Sequence, residues 1–228
     1  MPDWDQQALA EFLRLADTDV AAAASFARRW PQWLARGDGE ESLLHYLAVE
    51  DELNAVDALI QAGADLRDSI DWFSSPVFDV AMLGYQDLLA LLLRSGCSAN
   101  TASISLGLTA LQCAIEHGHT ECVRLLLAAG ADVERGSPLE GPPLHTAAKA
   151  DQVELAGLLL DAGVDPNSAD TYERNTALHH AAQRGNAALA RLLLDHGAAP
   201  TAVNGEGHTP ADLAAAAGHY EVVAAILQ

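Results

Sequence analysis

Basic residues are scarce in this chain. Its 228 residues include 12 Lys and Arg against 32 Asp and Glu, giving a formal net charge of −20, and Lys149 is the only lysine. Binding to nucleic acid or to anionic lipid requires clustered Lys and Arg. The composition therefore predicts no nucleic-acid partner and no membrane partner. Residues 41–100 form the most acidic segment, and a negative face of this kind would steer a basic protein partner.

Cysteine and long apolar runs are also rare. The three cysteines, Cys97, Cys113 and Cys122, are odd in number and lack CxxC spacing, so we expect free thiols in a reducing compartment. No run of about 18 apolar residues is present, which predicts no transmembrane helix. Met1–Asp5 lacks the basic start and apolar core of a signal peptide. We therefore expect a cytoplasmic protein.

Motifs that carry catalytic chemistry are missing. The sequence has no GxSxG, HExxH or GxxxxGK[ST], no GxGxxG following a strand, and no calcium loop of the EF-hand type. With so many carboxylates, pairs of acids arise by chance and do not indicate a site. We predict that the protein is not an enzyme and uses no cofactor.

The sequence does contain a repeated unit of two short helices, seen most clearly in Gly107–Glu134. Thr109 is a candidate N-cap for the first helix, and Gly118 can take the left-handed conformation that ends it. Thr120 is a candidate cap for the second helix, whose apolar residues cover more of its surface than a solvent-facing helix allows. Gly130 would end that helix. The unit predicts helices covered by neighbours on two sides.

Two landmarks of this unit recur with one period. The cap position is occupied by Ser42, Ser75, Thr109, Pro142, Thr176 and Thr209, and the terminating glycine by Gly63, Gly96, Gly130, Gly163 and Gly197. Both series advance by 33 or 34 residues, which is typical of a repeat array. Two residues depart from the pattern. Pro142 provides no side-chain acceptor, so that helix start could shift, and Asp151 replaces a turn glycine at some cost in backbone strain.

The repeated motifs resemble those of the ankyrin-repeat family. The family's Thr-Pro-Leu-His opening is similar to Pro142–His145, Thr176–His179 and Ser42–His45, and its Gly-His turn to Gly118-His119 and Gly218-His219. The resemblance covers about residues 41–228 and implies an all-α ankyrin-repeat solenoid of about six helix-turn-helix repeats. The expected repeats are residues 42–74, 75–108, 109–141, 142–175, 176–208 and 209–228.

Residues 1–40 lie outside the repeats. Asp5–Leu15 and Val20–Arg29 are predicted helices, with Pro31 stopping the second. The segment holds three of the four tryptophans, Trp4, Trp30 and Trp33. Because the open end of a solenoid needs a cover, we expect an N-terminal helical cap. An aromatic patch that docks a partner is the alternative.

Histidines are the remaining candidates for chemistry. His45, His145 and His179 follow the cap position by three residues, where an imidazole can bond back to the capping hydroxyl as Glu does in a capping box. The resemblance implies a structural role for them. His117 and His119 form an HxH pair that can ligate zinc, although no further ligand lies at a recognisable spacing. A metal-binding protein or enzyme using this pair is the alternative from another functional class.

The resemblance also implies that partners bind the concave face, formed by the finger tips and the exposed side of each first helix. Carried over by register, the candidate partner-binding residues are Val49, Glu50, Asp71, Trp72, Met82, Leu83, Leu106, Leu108, Glu116, His117, Leu139, Tyr172 and Arg184, and Lys149 lies in the same register. Trp72 is the leading candidate because tryptophan is enriched in binding hot spots. Its alternative is packing on the neighbouring finger or on Phe73.

These observations predict a monomeric, non-enzymatic module that binds a basic protein through the groove of repeats one to three. Acidic residues at Glu50, Asp71 and Glu116 would surround an apolar centre there. A sharper hypothesis is that the protein inhibits its partner by covering an active site, as immunity proteins do to cognate toxins.

Overall fold

The computed structural model describes residues 5–35, 42–66, 75–103, 107–137 and 140–227. These ranges contain fifteen α-helices and no β-strand. The helices are α1 (Gln6–Ala16), α2 (Val20–Ala27), α3 (Pro31–Leu34), α4 (Leu43–Val49), α5 (Leu53–Ala62), α6 (Pro76–Leu83), α7 (Gln86–Arg94), α8 (Ala110–Glu116), α9 (Thr120–Ala128), α10 (Pro143–Lys149), α11 (Val153–Asp161), α12 (Ala177–Arg184), α13 (Ala187–Asp195), α14 (Pro210–Ala217) and α15 (Tyr220–Ile226). Across the described ranges, no helix has the length and apolar character needed to cross a membrane.

From α4 onward the helices form pairs arranged in two layers. The first helices of the pairs, α4, α6, α8, α10, α12 and α14, pack on one another in chain order. The second helices, α5, α7, α9, α11, α13 and α15, pack in the same order behind them. Each pair therefore contacts its own neighbours, which is how a solenoid buries its helices. The predicted all-α solenoid is confirmed.

The core between the layers repeats with the period of the sequence. Leu59, Leu92, Leu126, Leu159 and Leu193 take the same place in successive second helices and are completely buried. The first helices contribute Ala81, Ala114, Ala147, Ala181 and Ala214, which are also completely buried. Burying a leucine side chain contributes about 2 kcal/mol, and alanine lets the facing helices approach closely.

The helix starts follow the cap positions. Ser42, Ser75, Thr109 and Thr209 each accept a backbone N–H of the first turn. Pro142 accepts none, yet α10 begins in the same register as the other first helices, so the start does not shift there. Pro143 occupies the first position of α10, which suits proline because that position needs no N–H partner.

Two local predictions need correction. His119, not Thr120, is the N-cap residue of α9, and its side chain makes no capping bond because it is turned toward the preceding repeat. The helix α2 ends at Ala27, before Pro31, and Pro31 instead begins the short helix α3. Proline fits that position because its fixed φ suits a first turn.

The turn between the helices of a pair uses left-handed backbone. Gly84, Gly118 and Gly185 have φ values between 72° and 80°. Asp51 and Asp151 take the same position in two other repeats with φ values of 60° and 58°. The strain expected at Asp151 is therefore present, although Asp tolerates this conformation better than most residues.

The N-terminal helices pack on the first repeat. The helix α2 lies along α5, and α1 packs on both. Phe12 and Trp33 are almost fully buried beneath them, with their rings edge to face at a centroid distance of 5.6 Å. Trp30 stacks on Trp33 at 5.1 Å. Phe12 and Trp33 therefore belong to the same continuous core as the repeats, and Trp30 packs against it.

Candidate functional site

The last turns of the first helices form a column that crosses all six pairs. It advances one repeat at a time through Val49-Glu50, Met82-Leu83, Glu116-His117, Lys149-Ala150, Gln183-Arg184 and Ala216-Ala217. Because the first helices form one layer, residues at equivalent positions lie side by side. Most of the predicted contact residues that the structure describes belong to this column.

The first half of the column surrounds one exposed leucine with acidic side chains. Leu83 is 38% exposed, and Val49 and Met82 are half-buried. Glu50 in the preceding repeat and Glu116 in the following one are exposed. Neither carboxylate has an ion-pair partner within the described ranges. We call these five residues the Leu83 patch. It has the apolar centre and charged edge that are typical of a binding surface.

Several predicted contact residues do not join this patch. Asp71, Trp72, Leu106 and Leu139 fall outside the described residues. Leu108 is half-buried and packs against the core, so its side chain has a structural use.

The second half of the column is basic, and its charges are paired. The Lys149 ammonium donates to the Glu140 carboxylate at 2.9 Å, and the Arg184 guanidinium donates to Asp151 at 3.1 Å. Exposed pairs of this kind contribute about 1 kcal/mol or less to stability. They do neutralise the two cations, so the column gains little positive potential there.

A cavity of about 320 Å³ opens between repeats four and five. Its walls are Lys149 from α10, His180 from α12, and Asp170, Tyr172 and Glu173 from the finger between α11 and α12. The Tyr172 side chain is 87% exposed, the largest exposure among the bulky apolar side chains of the described ranges. We call this cavity the Tyr172 pocket. The register carried over from the resemblance puts Lys149 and Tyr172 on the concave face, but it does not predict that they line one cavity.

Asp170 holds the finger in shape. Its Oδ1 accepts the backbone N–H groups of Glu173 at 2.9 Å and Asn175 at 3.3 Å, and its Oδ2 lies 3.3 Å from Nε2 of His180. Burial alone would raise the pKa of Asp170, but the bond from Glu173, the nearby imidazoles and the bond from Asn175 together hold it below its ordinary value. The carboxyl group is therefore anionic at neutral pH.

His180 is a neutral imidazole at neutral pH. Burial is the main cause that lowers its pKa to about 4, and the charges of His145 and Lys149 act in the same direction. The His145 and His180 rings lie edge to face, 5.7 Å apart. Two imidazoles this close disfavour each other's protonation, so neither supplies a stable positive charge to the pocket.

Asp170 and His180 were missed as site residues, although the repeat period contains a signal for Asp170. Ser137, Asp170 and Asn204 are spaced by 33 and 34 residues, and all three are buried. Each accepts backbone N–H groups of its own finger. The series lies in the fingers, outside the helix caps and terminating glycines that mark the repeat, and its three members are of different residue types. His180 has no comparable signal.

The histidines that follow the cap make bonds within the protein: His45 lies 2.6 Å from the Asp79 carboxylate, and His145 and His179 bond backbone carbonyls. His179 Nδ1 accepts the backbone N–H of Thr176 at 3.1 Å and lies 2.9 Å from its hydroxyl, which completes a capping box. Its Nε2 lies 3.1 Å from the backbone carbonyl of His208 in the next repeat. His145 bonds the Asn175 carbonyl in the same way, at 3.0 Å. Its Nδ1 has no partner because Pro142 offers neither an N–H nor a hydroxyl.

The HxH pair is engaged in bonds to backbone carbonyls. Nδ1 of His117 lies 2.9 Å from the Cys113 carbonyl, and Nε2 of His119 lies 3.0 Å from the Met82 carbonyl. The two rings stack with centroids 5.9 Å apart. In the described part of the chain, no group of three His, Cys, Asp or Glu side chains is arranged to hold a metal ion.

The two buried cysteines behave as apolar residues. Cys113 and Cys122 are both buried and unpaired. Burial raises the pKa of the Cys113 thiol to about 12 and that of Cys122 to about 11. Both thiols are therefore protonated and poorly nucleophilic.

Comparison with known proteins identifies the family. The sequence profile for ankyrin repeats, described as three copies, matches residues 44–137, 77–170 and 144–228. The chain belongs to the ankyrin-repeat family. Ankyrin repeats are protein–protein interaction modules, so the columns and pockets of this face are candidate surfaces for a protein partner.

Three relatives illustrate the range of ankyrin proteins that resemble this chain. Ankyrin repeat and SOCS box protein 11 of Danio rerio is 39% identical over 42% of the chain and 32% of its own length. The nuclear factor NF-kappa-B p105 subunit of Gallus gallus is 30% identical over 63% of the chain and 15% of its own length. Protein PhlB of Serratia liquefaciens is 34% identical over 62% of the chain and 61% of its own length. The chain thus spans less than two thirds of each of them.

Proposed function

We propose that this ankyrin-repeat protein is a non-enzymatic module that binds a basic protein through the Leu83 patch. One observation carries the proposal: an exposed leucine stands between two exposed carboxylates that lack ion-pair partners in the described residues. Burying Leu83 against a partner would contribute apolar contact, and the carboxylates would select basic residues around it. The net charge of −20 would speed association with a cationic protein.

The test is affinity capture of partners from a lysate of the source organism, followed by identification and by purified binding assays. We expect Leu83→Asp and the double variant Glu50→Lys/Glu116→Lys to weaken binding to the identified partner by at least about tenfold, which is about 1.4 kcal/mol. The matched control is Asp87→Lys/Asp195→Lys. It changes the net charge equally but on second helices, behind the first-helix layer.

Two outcomes of the capture experiment discriminate between explanations. Equal loss in both double variants would mean that net charge alone attracts the partner, and unchanged binding by Leu83→Asp would remove the patch from the proposal. Association rates should fall with added salt in the wild type and respond less in the Glu50→Lys/Glu116→Lys variant, because screening acts on the removed charges.

The proposed surface extends to the finger residues that the sequence singled out. We include Asp71, Trp72, Leu106 and Leu139 in it on sequence grounds, and His117, Tyr172 and Arg184 at its other end. Trp72→Ala should weaken binding to the captured partner if the tryptophan is a hot spot. Wild-type affinity in this variant would favour packing on Phe73 or on the neighbouring finger instead.

We also propose the division into residues 1–40 as an N-terminal cap and residues 41–228 as repeats. It is supported by the packing of α1 and α2 on α5 and by the buried Phe12 and Trp33. Deleting residues 1–40 should destabilise the first repeat and expose α5. A deletion variant that stays as stable as the full chain but loses its partner would instead favour a docking role.

The second candidate function is inhibition of an enzyme or toxin by steric cover of its active site. It shares the acidic, apolar-centred surface with the first proposal and differs in what binding does to the partner. We expect the inhibitor version to suppress the activity of the captured partner stoichiometrically. A partner that keeps full activity when saturated with this protein would leave the binding function and eliminate inhibition.

A further inference from the structure

We propose that the Tyr172 pocket is a receptor for an arginine side chain presented by a partner protein. This site lies in repeats four and five, apart from the Leu83 patch in repeats one to three, and it does not depend on that patch being used. The proposal stands on the cavity, the exposed aromatic ring at its edge and the charges of its walls.

The size and position of the cavity suit one long side chain. About 320 Å³ is at the small end of the range for ligand pockets and leaves room for an extended arginine side chain. The cavity opens between two first helices and a finger, on the face where the column of last-turn residues is exposed. A partner that lies along this face would pass directly over it.

The charge of the walls selects a cation. The lining holds two carboxylates, Asp170 and Glu173, and one ammonium group, Lys149, whose charge is already paired with Glu140 beside the pocket. His180 adds no charge, since its imidazole is neutral at neutral pH. An anionic ligand would meet a net negative site, whereas a cationic side chain would find carboxylates already held in place.

The individual groups favour arginine over lysine. One oxygen of Glu173 accepts the Asn175 side-chain amide at 2.6 Å, which fixes the orientation of the carboxylate and leaves its other oxygen for a ligand. Asp170 already makes three bonds within the protein, so its negative charge would attract the guanidinium from a distance without a direct contact. The exposed ring of Tyr172 offers a face on which a planar guanidinium can stack, which an ammonium group cannot do as well.

The Tyr172 ring is available for contact with a partner. An aromatic side chain that is 87% exposed gains no burial from the fold. The finger that carries it is nevertheless well defined. Asp170 accepts two of its backbone N–H groups, and the Glu173 carboxylate accepts the Asn175 side-chain amide. A rigid finger presenting an unburied tyrosine loses little conformational entropy when a ligand covers the ring.

The experiment is an NMR titration of the full-length, ¹⁵N-labelled protein with N-acetyl-arginine methylamide. We expect saturable shift changes at the amides of Glu173 and Asn175, with a dissociation constant in the millimolar range. The neutral citrulline analogue should bind at least about tenfold more weakly, since it has the same shape without the charge. The lysine analogue should bind more weakly than arginine, since it stacks less well on Tyr172.

Matched variants locate the effect. Tyr172→Ala and Glu173→Gln should each abolish saturation, whereas Tyr220→Ala, which removes another highly exposed tyrosine, and Glu206→Gln, on the next finger, should not. Equal binding of arginine and citrulline, or unchanged binding in Tyr172→Ala, would overturn the proposal. A failed titration would leave the partner-capture experiment on the Leu83 patch unaffected, so the two proposals fail separately.

Discussion

At the scale of single residues, three equivalent links between repeats are side-chain bonds to backbone carbonyls. His145, His179 and Gln112 take the same place in three first helices. Each bonds the carbonyl of the residue before the next cap: His145 to Asn175, His179 to His208 and Gln112 to Gly141. A glutamine thus substitutes for the family's histidine, because its amide offers the same donor and acceptor.

We predict that Gln112→Leu destabilises the protein by about 3 kcal/mol. The buried amide accepts the N–H groups of Thr109 and Ser137 and donates to Gly141 and Thr146, and leucine removes all four of these bonds. Urea unfolding measures the loss. Gln112→His is the matched control and should cost less than about 1 kcal/mol, since imidazole can restore the bonds to Thr109 and Gly141. Equal losses would indicate that packing, not hydrogen bonding, controls this position.

A second residue-scale prediction concerns the slot that follows the terminating glycine. Asn100 donates to the Gly130 carbonyl at 3.3 Å and accepts the Asp132 N–H at 2.7 Å, and Asn167 makes the equivalent pair of bonds at 3.1 and 2.7 Å. Glu134 occupies the slot between them and can only accept, from the Asp165 backbone N–H at 3.1 Å and from the Ser168 hydroxyl at 3.4 Å.

We therefore expect Glu134→Asn to stabilise the protein by about 0.5–1 kcal/mol, because the new amide can donate to the Gly163 carbonyl. The urea midpoint of unfolding should rise. Glu134→Gln serves as the control, since it removes the same charge on a longer side chain. If both variants gain equally, relief of negative charge would explain the result and the amide bond would not.

At the scale of helices and turns, most of the architecture could be predicted from the sequence. Caps and terminating glycines mark helix ends with local chemistry, so a period in them locates the helix pairs directly. Thr120 and Pro31 were misassigned because their local chemistry allows two roles: threonine can cap or begin a helix, and proline can stop one or start one. Which role is used depends on packing, as the turn of His119 toward Met82 illustrates.

The site was less predictable than the fold for a physical reason. Exposure along the column follows from helical register, so Glu50, Leu83 and Glu116 could be placed on one face once the resemblance to ankyrin repeats had supplied that register. The Tyr172 pocket depends instead on how a finger folds over two helices. The buried bond between Asp170 and His180 joins residues ten positions apart, a spacing that corresponds to neither a helix nor a strand repeat.

At the turn between α12 and α13, we predict that Gly185→Ala destabilises the protein more than Gly197→Ala. Both glycines have positive φ, 75° and 89°, so both variants lose about 1 kcal/mol to backbone strain. A Cβ at Gly185 would lie 2.6 Å from Nδ1 of His219, whereas one at Gly197 meets nothing within 4 Å. Displacing His219 also breaks its 3.1 Å contact with the Gln183 carbonyl.

The additional loss in Gly185→Ala should be about 1–2 kcal/mol, measured as the difference between the two variants in urea unfolding. His219→Ala in the Gly185→Ala background provides the check. It should remove most of the additional loss that the steric conflict causes. Equal destabilisation by the two glycine variants would mean that the repeat interface adjusts to the new methyl group at little cost.

At the scale of the whole molecule, stability should depend on pH through buried histidines. Burial lowers the pKa of His145, His179 and His180 in the folded protein, the last to about 4. The unfolded chain therefore binds more protons below about pH 6.5, and stability falls as pH decreases through that value. For His180 the loss continues to about pH 4 and totals about 3 kcal/mol. Asp170 affects stability at lower pH. Because its pKa is depressed in the folded protein, its contribution to stability is lost only when the pH falls below the ordinary range for Asp.

Urea midpoints measured between about pH 7.5 and about pH 4.5 test this linkage. His180→Gln should reduce the slope of stability against pH on the acid side by an amount that corresponds to at most one bound proton. The glutamine amide can still donate to Asp170. We expect the urea midpoint of the wild type to depend more strongly on pH than that of the variant. Parallel curves would mean that protonation of His180 is not coupled to unfolding.

The bonds that connect one repeat to the next have a consequence for how this protein can diversify. His145, His179 and Gln112 are joined to main-chain carbonyls, which every amino acid supplies. A duplicated or transplanted unit would therefore keep these main-chain couplings, whatever side chains its new neighbour carries. The stack can be lengthened or recombined by shuffling whole units, while each unit's exposed surface is free to acquire a different specificity.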